Sequence, residues 1–149
     1  MGGMGTWAMA HAYPDLFAAI APVCGIDRLH VPKLDPSLSM QERRKLVAEH
    51  AAANPLTAED MAPLANTPTY IFEGQRDPVV PVSGSLAPYA ALREAGNTKV
   101  RMAIYPQTDL KEDDNGNAMG AHDSWTQTYE WAGLYEWMLE HSLDTSAKL

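Results

Sequence analysis

Three short stretches hold residues able to do chemistry together. The first is a glycine-rich start, Met1-Gly2-Gly3-Met4-Gly5-Thr6-Trp7. The second carries an aspartate in Tyr70-Ile71-Phe72-Glu73-Gly74-Gln75-Arg76-Asp77-Pro78-Val79-Val80-Pro81, and the third a histidine in Gly120-Ala121-His122-Asp123-Ser124-Trp125. An acid that leaves a strand through a glycine turn, on a loop stiffened by prolines, is held rigidly enough to meet an imidazole Nδ1–H. An imidazole held in that way is a general base near neutral pH. Asp77 and His122 are a carboxylate and an imidazole that such a pairing could join. A solvated turn aspartate before proline, and a lone surface histidine, are the bland readings of the same residues.

A nucleophile is harder to find. Ser124 neighbours His122 in sequence, but adjacency in a loop builds neither a strained elbow nor an oxyanion hole. Ser83 and Ser85 open a helix with no glycine framing, and Cys24 reads as a small packed residue or a pocket wall. His11, His30, His50 and His141 read as surface histidines. Trp7 and Trp125 are core or pocket aromatics.

Read with Tyr13-Pro14-Asp15-Leu16-Phe17-Ala18-Ala19-Ile20-Ala21-Pro22-Val23-Cys24-Gly25, the glycine-rich start resembles the stretch after the nucleophile in α/β-hydrolases. The branch it is most similar to is that of dienelactone hydrolases, feruloyl and polyhydroxybutyrate esterases and prolyl-oligopeptidase-like enzymes. The aspartate loop and the His122 segment, with its Asp-Ser-Trp continuation, resemble that branch too, in the family order serine, aspartate, histidine, which implies Asp77 as the acid and His122 as the base of a triad. The resemblance implies that Met1 follows the serine and supplies an oxyanion-hole N–H, and that Gly2 is the elbow glycine. It implies that residues 1–149 are the C-terminal portion of such a domain, with the serine and the strands before it lying upstream. The implied activity is hydrolysis of an ester or peptide bond through an acyl-enzyme, on a small-molecule ester or peptide substrate, with no cofactor and no metal. Trp125 and Cys24 would line the pocket. A non-catalytic α/β binding module with a degenerate site is the alternative.

Positioning these residues requires an α/β fold: three parallel strands with flanking helices. Apolar runs at Phe17–Val23, Thr69–Glu73 and Lys99–Tyr105 read as the strands, with Pro22 near the end of the first. The first of these strands would have an open edge where a nucleophile strand pairs in the family. Thr6–Tyr13 reads as a helix stopped by Pro14. Ser39 and Glu42 form a capping box that starts a helix running to Ala53 before Asn54-Pro55. Ser83–Ala95 is a helix with Ser83 as cap and Gly96-Asn97 as stop. Thr126–His141 is a last helix whose apolar face is Tyr129, Leu134, Trp137 and Met138.

Composition sets the outer limits. A length of 149 residues suits one domain, and 46% hydrophobic with 20% charged residues argues for a packed core over disorder. A formal charge of -8 argues against nucleic acid as a partner, since phosphates would be repelled. No apolar run reaches the roughly 20 residues of a membrane span. Met1-Gly2 with Thr6 matches a myristoylation pattern, but no basic stretch supports it and the elbow accounts better for the glycines. One cysteine excludes an internal disulfide and a cysteine-based zinc site. The acidic stretch at 109–117 lacks calcium-loop spacing, because Lys111 stands at the first ligand position before Gly116. Substrate identity, oligomeric state and compartment are not written in the sequence.

Overall fold

The structure, a computed structural model, describes residues 1–106 and 119–143. The acidic stretch at 109–117 lies outside the described residues. Strand β1 (Thr69–Gly74) and strand β2 (Val100–Tyr105) pair in parallel, with Thr69 opposite Val100 and Gly74 opposite Tyr105. Both were legible as apolar, β-branched runs. Successive residues of β1 point to opposite faces, so Ile71 and Phe72 enter different cores. Ile71 packs with Trp7, Met61, Leu64, Leu92 and Val100, and Phe72 with Val23, Cys24, Leu134 and Trp137.

Helix α1 spans Gly2–Ala12, and begins four residues earlier than composition suggested. Helix α2 (Met40–Ala53) starts at the expected capping box: Ser39 Oγ accepts from the Glu42 N–H, and Glu42 Oε2 accepts from the Ser39 N–H at 2.9 Å. A second capping box, Thr57 with Asp60, opens the short helix α3 (Ala58–Met61). Its Thr-x-x-Asp spacing was present in the sequence but was not read there. Helix α4 (Ser83–Glu94) crosses from β1 to β2 and ends at Gly96, whose φ of +89° suits glycine. Ser83 lies inside it and Val82 precedes it without a side-chain cap. Beyond Gly96, the buried Asn97 amide donates to the carbonyls of Leu64 and Thr67 at 2.9 Å each, tying the turn to the entry of β1.

Two sequence expectations need correction. The expected third strand, Phe17–Val23, forms only isolated parallel bridges, Ile20 to Thr69 and Val23 to Phe72. The cause is Pro22. Ile20 N–H donates to Pro68 O, Tyr70 N–H to Ile20 O, Phe72 N–H to Pro22 O and Cys24 N–H to Phe72 O. The rung missing from that series needs an N–H at position 22, which proline lacks. The sheet therefore has two strands, with this segment laid along the other side of β1.

The expected C-terminal helix is broken in two, α5 (Trp125–Glu130) and α6 (Ala132–Leu139). Trp131 between them has extended backbone (φ -80°, ψ 111°), and its ring packs edge-on to Tyr70 and Phe72. Gly133 makes room for it, since a Cβ there would meet the indole at 2.3 Å. Leu134 and Trp137 are buried as expected, whereas Tyr129 and Met138 are exposed.

Candidate active site

The acid loop is built by the exit from β1. After Gly74 the chain turns back, with the Asp77 N–H donating to Gly74 O at 3.2 Å. Asp77 Oδ1 accepts the N–H groups of Val79 and Val80, at 2.7 and 2.8 Å. Pro78 and Pro81, having no N–H and a fixed φ, leave those two donors as the ones the carboxylate meets. The other oxygen, Oδ2, is 2.6 Å from His122 Nδ1, and the Asp77 side chain is wholly shielded from solvent.

His122 ends a 3-10 turn (Met119–His122) that enters α5, and its carbonyl accepts the Ser124 N–H. Trp125 stands edge-on to the imidazole, ring centres 5.2 Å apart. Binding through Nδ1 leaves Nε2, at the far end of the ring, as the nitrogen free for proton transfer.

An open cleft of about 240 Å³ lies against this pair. Its walls are Met1, Gly2 and Gly3 at the start of α1, Val23 and Cys24 from the bridging segment, and His122, Trp125 and Tyr129. The first N–H groups of α1 have no partner inside the helix, so its positive end faces the cleft. Helix and bridging segment meet through two glycines. A Cβ on Gly3 would lie 2.2 Å from Val23 O, and one on Gly25 2.2 Å from Gly3 C. Gly2, the expected elbow glycine, has open space around it, so the tight contact is made by Gly3.

Cys24 has φ +38°, a left-handed backbone unusual for a side chain, and its thiol faces the cleft floor. Burial, with the charges of Glu73 and Asp77 adding to it and the neighbouring Ser124 opposing it, pushes this thiol up to about 11. A thiol held protonated in this way is a poor nucleophile and a good wall. Among the described residues, Cys24, Asp77 and His122 offer metal-type donor atoms within 4.8 Å of one another, but Asp77 and His122 already bond each other.

The structure thus brings Asp77, His122, Met1, Gly2, Trp125 and Cys24 to one place. It also adds residues that sequence reasoning missed. Tyr129 and Val23 line the cleft, and Glu73, read only as a strand residue, is buried beside Asp77. His11 and His30 are not idle surface histidines: they pair with Asp27 at 2.7 Å and Asp60 at 2.9 Å. No spacing rule links those partners in the sequence.

A parallel α/β sheet with an aspartate–histidine pair beyond the carboxyl ends of its strands defines a chain of the α/β-hydrolase class. The chain belongs to the prolyl oligopeptidase family, whose profile matches residues 1–143. Among solved structures it is similar to the crystal structure of a thermostable esterase, with 28% identity and a TM-score of 0.64. That similarity covers 95% of this chain and 29% of the esterase chain. A search of curated proteins gave no significant match.

Proposed function

We propose that residues 1–149 supply the acid and base of a serine-type hydrolase acting on ester or peptide bonds through an acyl-enzyme. The observation that carries this reading is the His122 Nδ1 to Asp77 Oδ2 contact, beside a cleft walled by a helix N-terminus. Asp77 holds the tautomer and stabilises the imidazolium; His122 takes the proton of the attacking hydroxyl and returns it to the leaving group. The nucleophile in this reading is a serine placed directly before Met1, with the Met1 N–H as one oxyanion donor and Gly2 as elbow glycine. The domain is then the C-terminal portion of a larger hydrolase, in keeping with the 29% of the esterase chain that it matches. Trp125, Tyr129 and Cys24 shape the substrate side of the cleft.

The test is the coding sequence upstream of Met1 and the protein it extends. Codons reading Gly-x-Ser, and fluorophosphonate labelling of that serine that is lost in His122→Ala, are the expected outcome. A stop codon there, or labelling indifferent to His122, overturns the reading. The alternative is a non-catalytic α/β binding module with a degenerate site; Ser85 is bonded to Glu73 and the Ser124 hydroxyl is fully buried, so neither faces the cleft as a nucleophile. A binding module would bind small ligands equally well in wild type and His122→Ala, and neither would be labelled.

A further inference from the structure

Behind Asp77 stands a second carboxyl that the acid–base pair does not use. Glu73, the residue of β1 before Gly74, is completely shielded from solvent. Its Oε1 accepts the Gly74 N–H at 2.9 Å, and its Oε2 meets Ser85 Oγ on helix α4 at 2.6 Å. Among the described residues no lysine, arginine or histidine forms an ion pair with it. The titratable groups that face it are Asp77 on the acid loop, the Cys24 thiol on the bridging segment and, through Asp77, His122. Ser85 on α4 adds a hydroxyl without charge. A carboxylate without a cation in such a place is costly, and a second one beside it more so.

We propose that Glu73 is a positioning residue for the acid–base pair: as a neutral acid it braces the Asp77 loop between Gly74 and Ser85, and as a carboxylate it places a second negative charge behind Asp77. This rests on the reading of Asp77 and His122 as acid and base. The proton exchanged is a single one, lost to solvent when Glu73 ionises. Burial first, then the charge and hydrogen bonding of Asp77, push Glu73 up to about 7, against the opposing hydrogen bonds from Ser85 and Gly74. The neutral and charged forms are then both populated near neutral pH. The field on the pair changes there while Asp77 keeps its backbone partners.

Two NMR readouts on the full chain test this. The first is the Glu73 side-chain carboxyl carbon in the wild-type protein, followed against pH. The expected midpoint is about 7, moving higher in Ser85→Ala; a midpoint in the ordinary carboxylate range, near 4.5, overturns the proposal. The second is the His122 Nδ1 proton resonance, which reads the bond to Asp77. In wild type it shifts in step with the Glu73 carbon, and in Glu73→Gln that step is absent; an unchanged step in the variant overturns the proposal. Asp77→Ala separates the two ideas. If the resonance survives in Asp77→Ala, the acid–base reading itself fails. If it is lost there but the step persists in Glu73→Gln, the Glu73 proposal alone fails. The wild-type titration stands even should Glu73→Gln not fold.

Discussion

His122–Asp77 and His11–Asp27 are pairs of almost equal length, 2.6 and 2.7 Å, and both aspartates are shielded from solvent. Each acid also accepts backbone N–H groups, Asp77 from Val79 and Val80 and Asp27 from Leu29. The difference lies in which nitrogen is engaged and what stands beyond it. His11, in the last turn of α1, uses Nε2, the tip of its ring, so the pair bolts the helix end to the segment after Gly25. His122 uses Nδ1 and lies in the wall of a cleft that also holds the start of α1. Identical chemical groups thus make a closed bolt in one place and a pair open to a cleft in the other. What decides between them is ring orientation and access.

The comparison breaks most visibly through activity. Under the proposed reading, in a protein extended upstream to a serine, His122→Ala or Asp77→Asn is expected to lower kcat/KM on the order of 10³–10⁴-fold, the scale seen in serine-protease triads. His11→Ala should leave that rate within a few-fold. Equal losses in both would erase the distinction drawn above; ester-hydrolysis kinetics decide.

The next effect is on stability against pH. Glu73, raised from 4.5 to about 7, keeps its proton in the folded state where the unfolded chain has lost it. Its contribution to stability is therefore greatest below about 4.5 and falls as pH rises towards 7, by roughly 3 kcal/mol, and is flat above. Urea denaturation across that window should show the slope in wild type and not in Glu73→Gln.

His11→Ala comes third. It leaves the Asp27 carboxylate buried without its partner, at an expected cost of about 2 kcal/mol in urea. His122→Ala is a useful partner measurement, because its loss should fall mainly on catalysis.

The smallest effect belongs to the third pair, His30–Asp60, which is more open to water. A hydrogen bond from His30, with those of Thr57 helping against desolvation, lowers Asp60 from 3.8 to about 2. Its contribution is present above about 3.8 and is lost as pH falls through 2, opposite in sign to that of Glu73. Solvent screening reduces it to about 1 kcal/mol, to be read as a difference between wild type and His30→Ala in acid unfolding.

Local rules mostly held where a residue's partner lies within a turn, the exception being Ser83, which lies inside α4 and does not cap it. The Ser39 capping box, the Gly96 stop, β1, β2 and the proline-stiffened acid loop all depend on neighbours a few positions away. They failed where a distant residue decides. Pro22 was placed near the end of a strand, but its effect depends on Tyr70 and Phe72 forming the facing ladder. Trp131 sits within a helical pattern, yet its backbone is extended and its ring stands edge-on to Tyr70 and Phe72 of β1, partners far away in the sequence.

The sequence by itself determined the chemistry available here: an aspartate on a rigid loop, a histidine after the last strand, and glycines at the start of a helix. Those follow from residue type and short spacing, which do not change when the chain folds. Tertiary structure alone decided that Gly3 and Gly25 let the helix start reach the cleft, and that His122 meets its acid through Nδ1. It also decided that Glu73 is sealed behind Asp77 with Ser85 from another element as partner. Each of these depends on the distance between segments remote in sequence, and close packing sets such distances only once the whole core has formed.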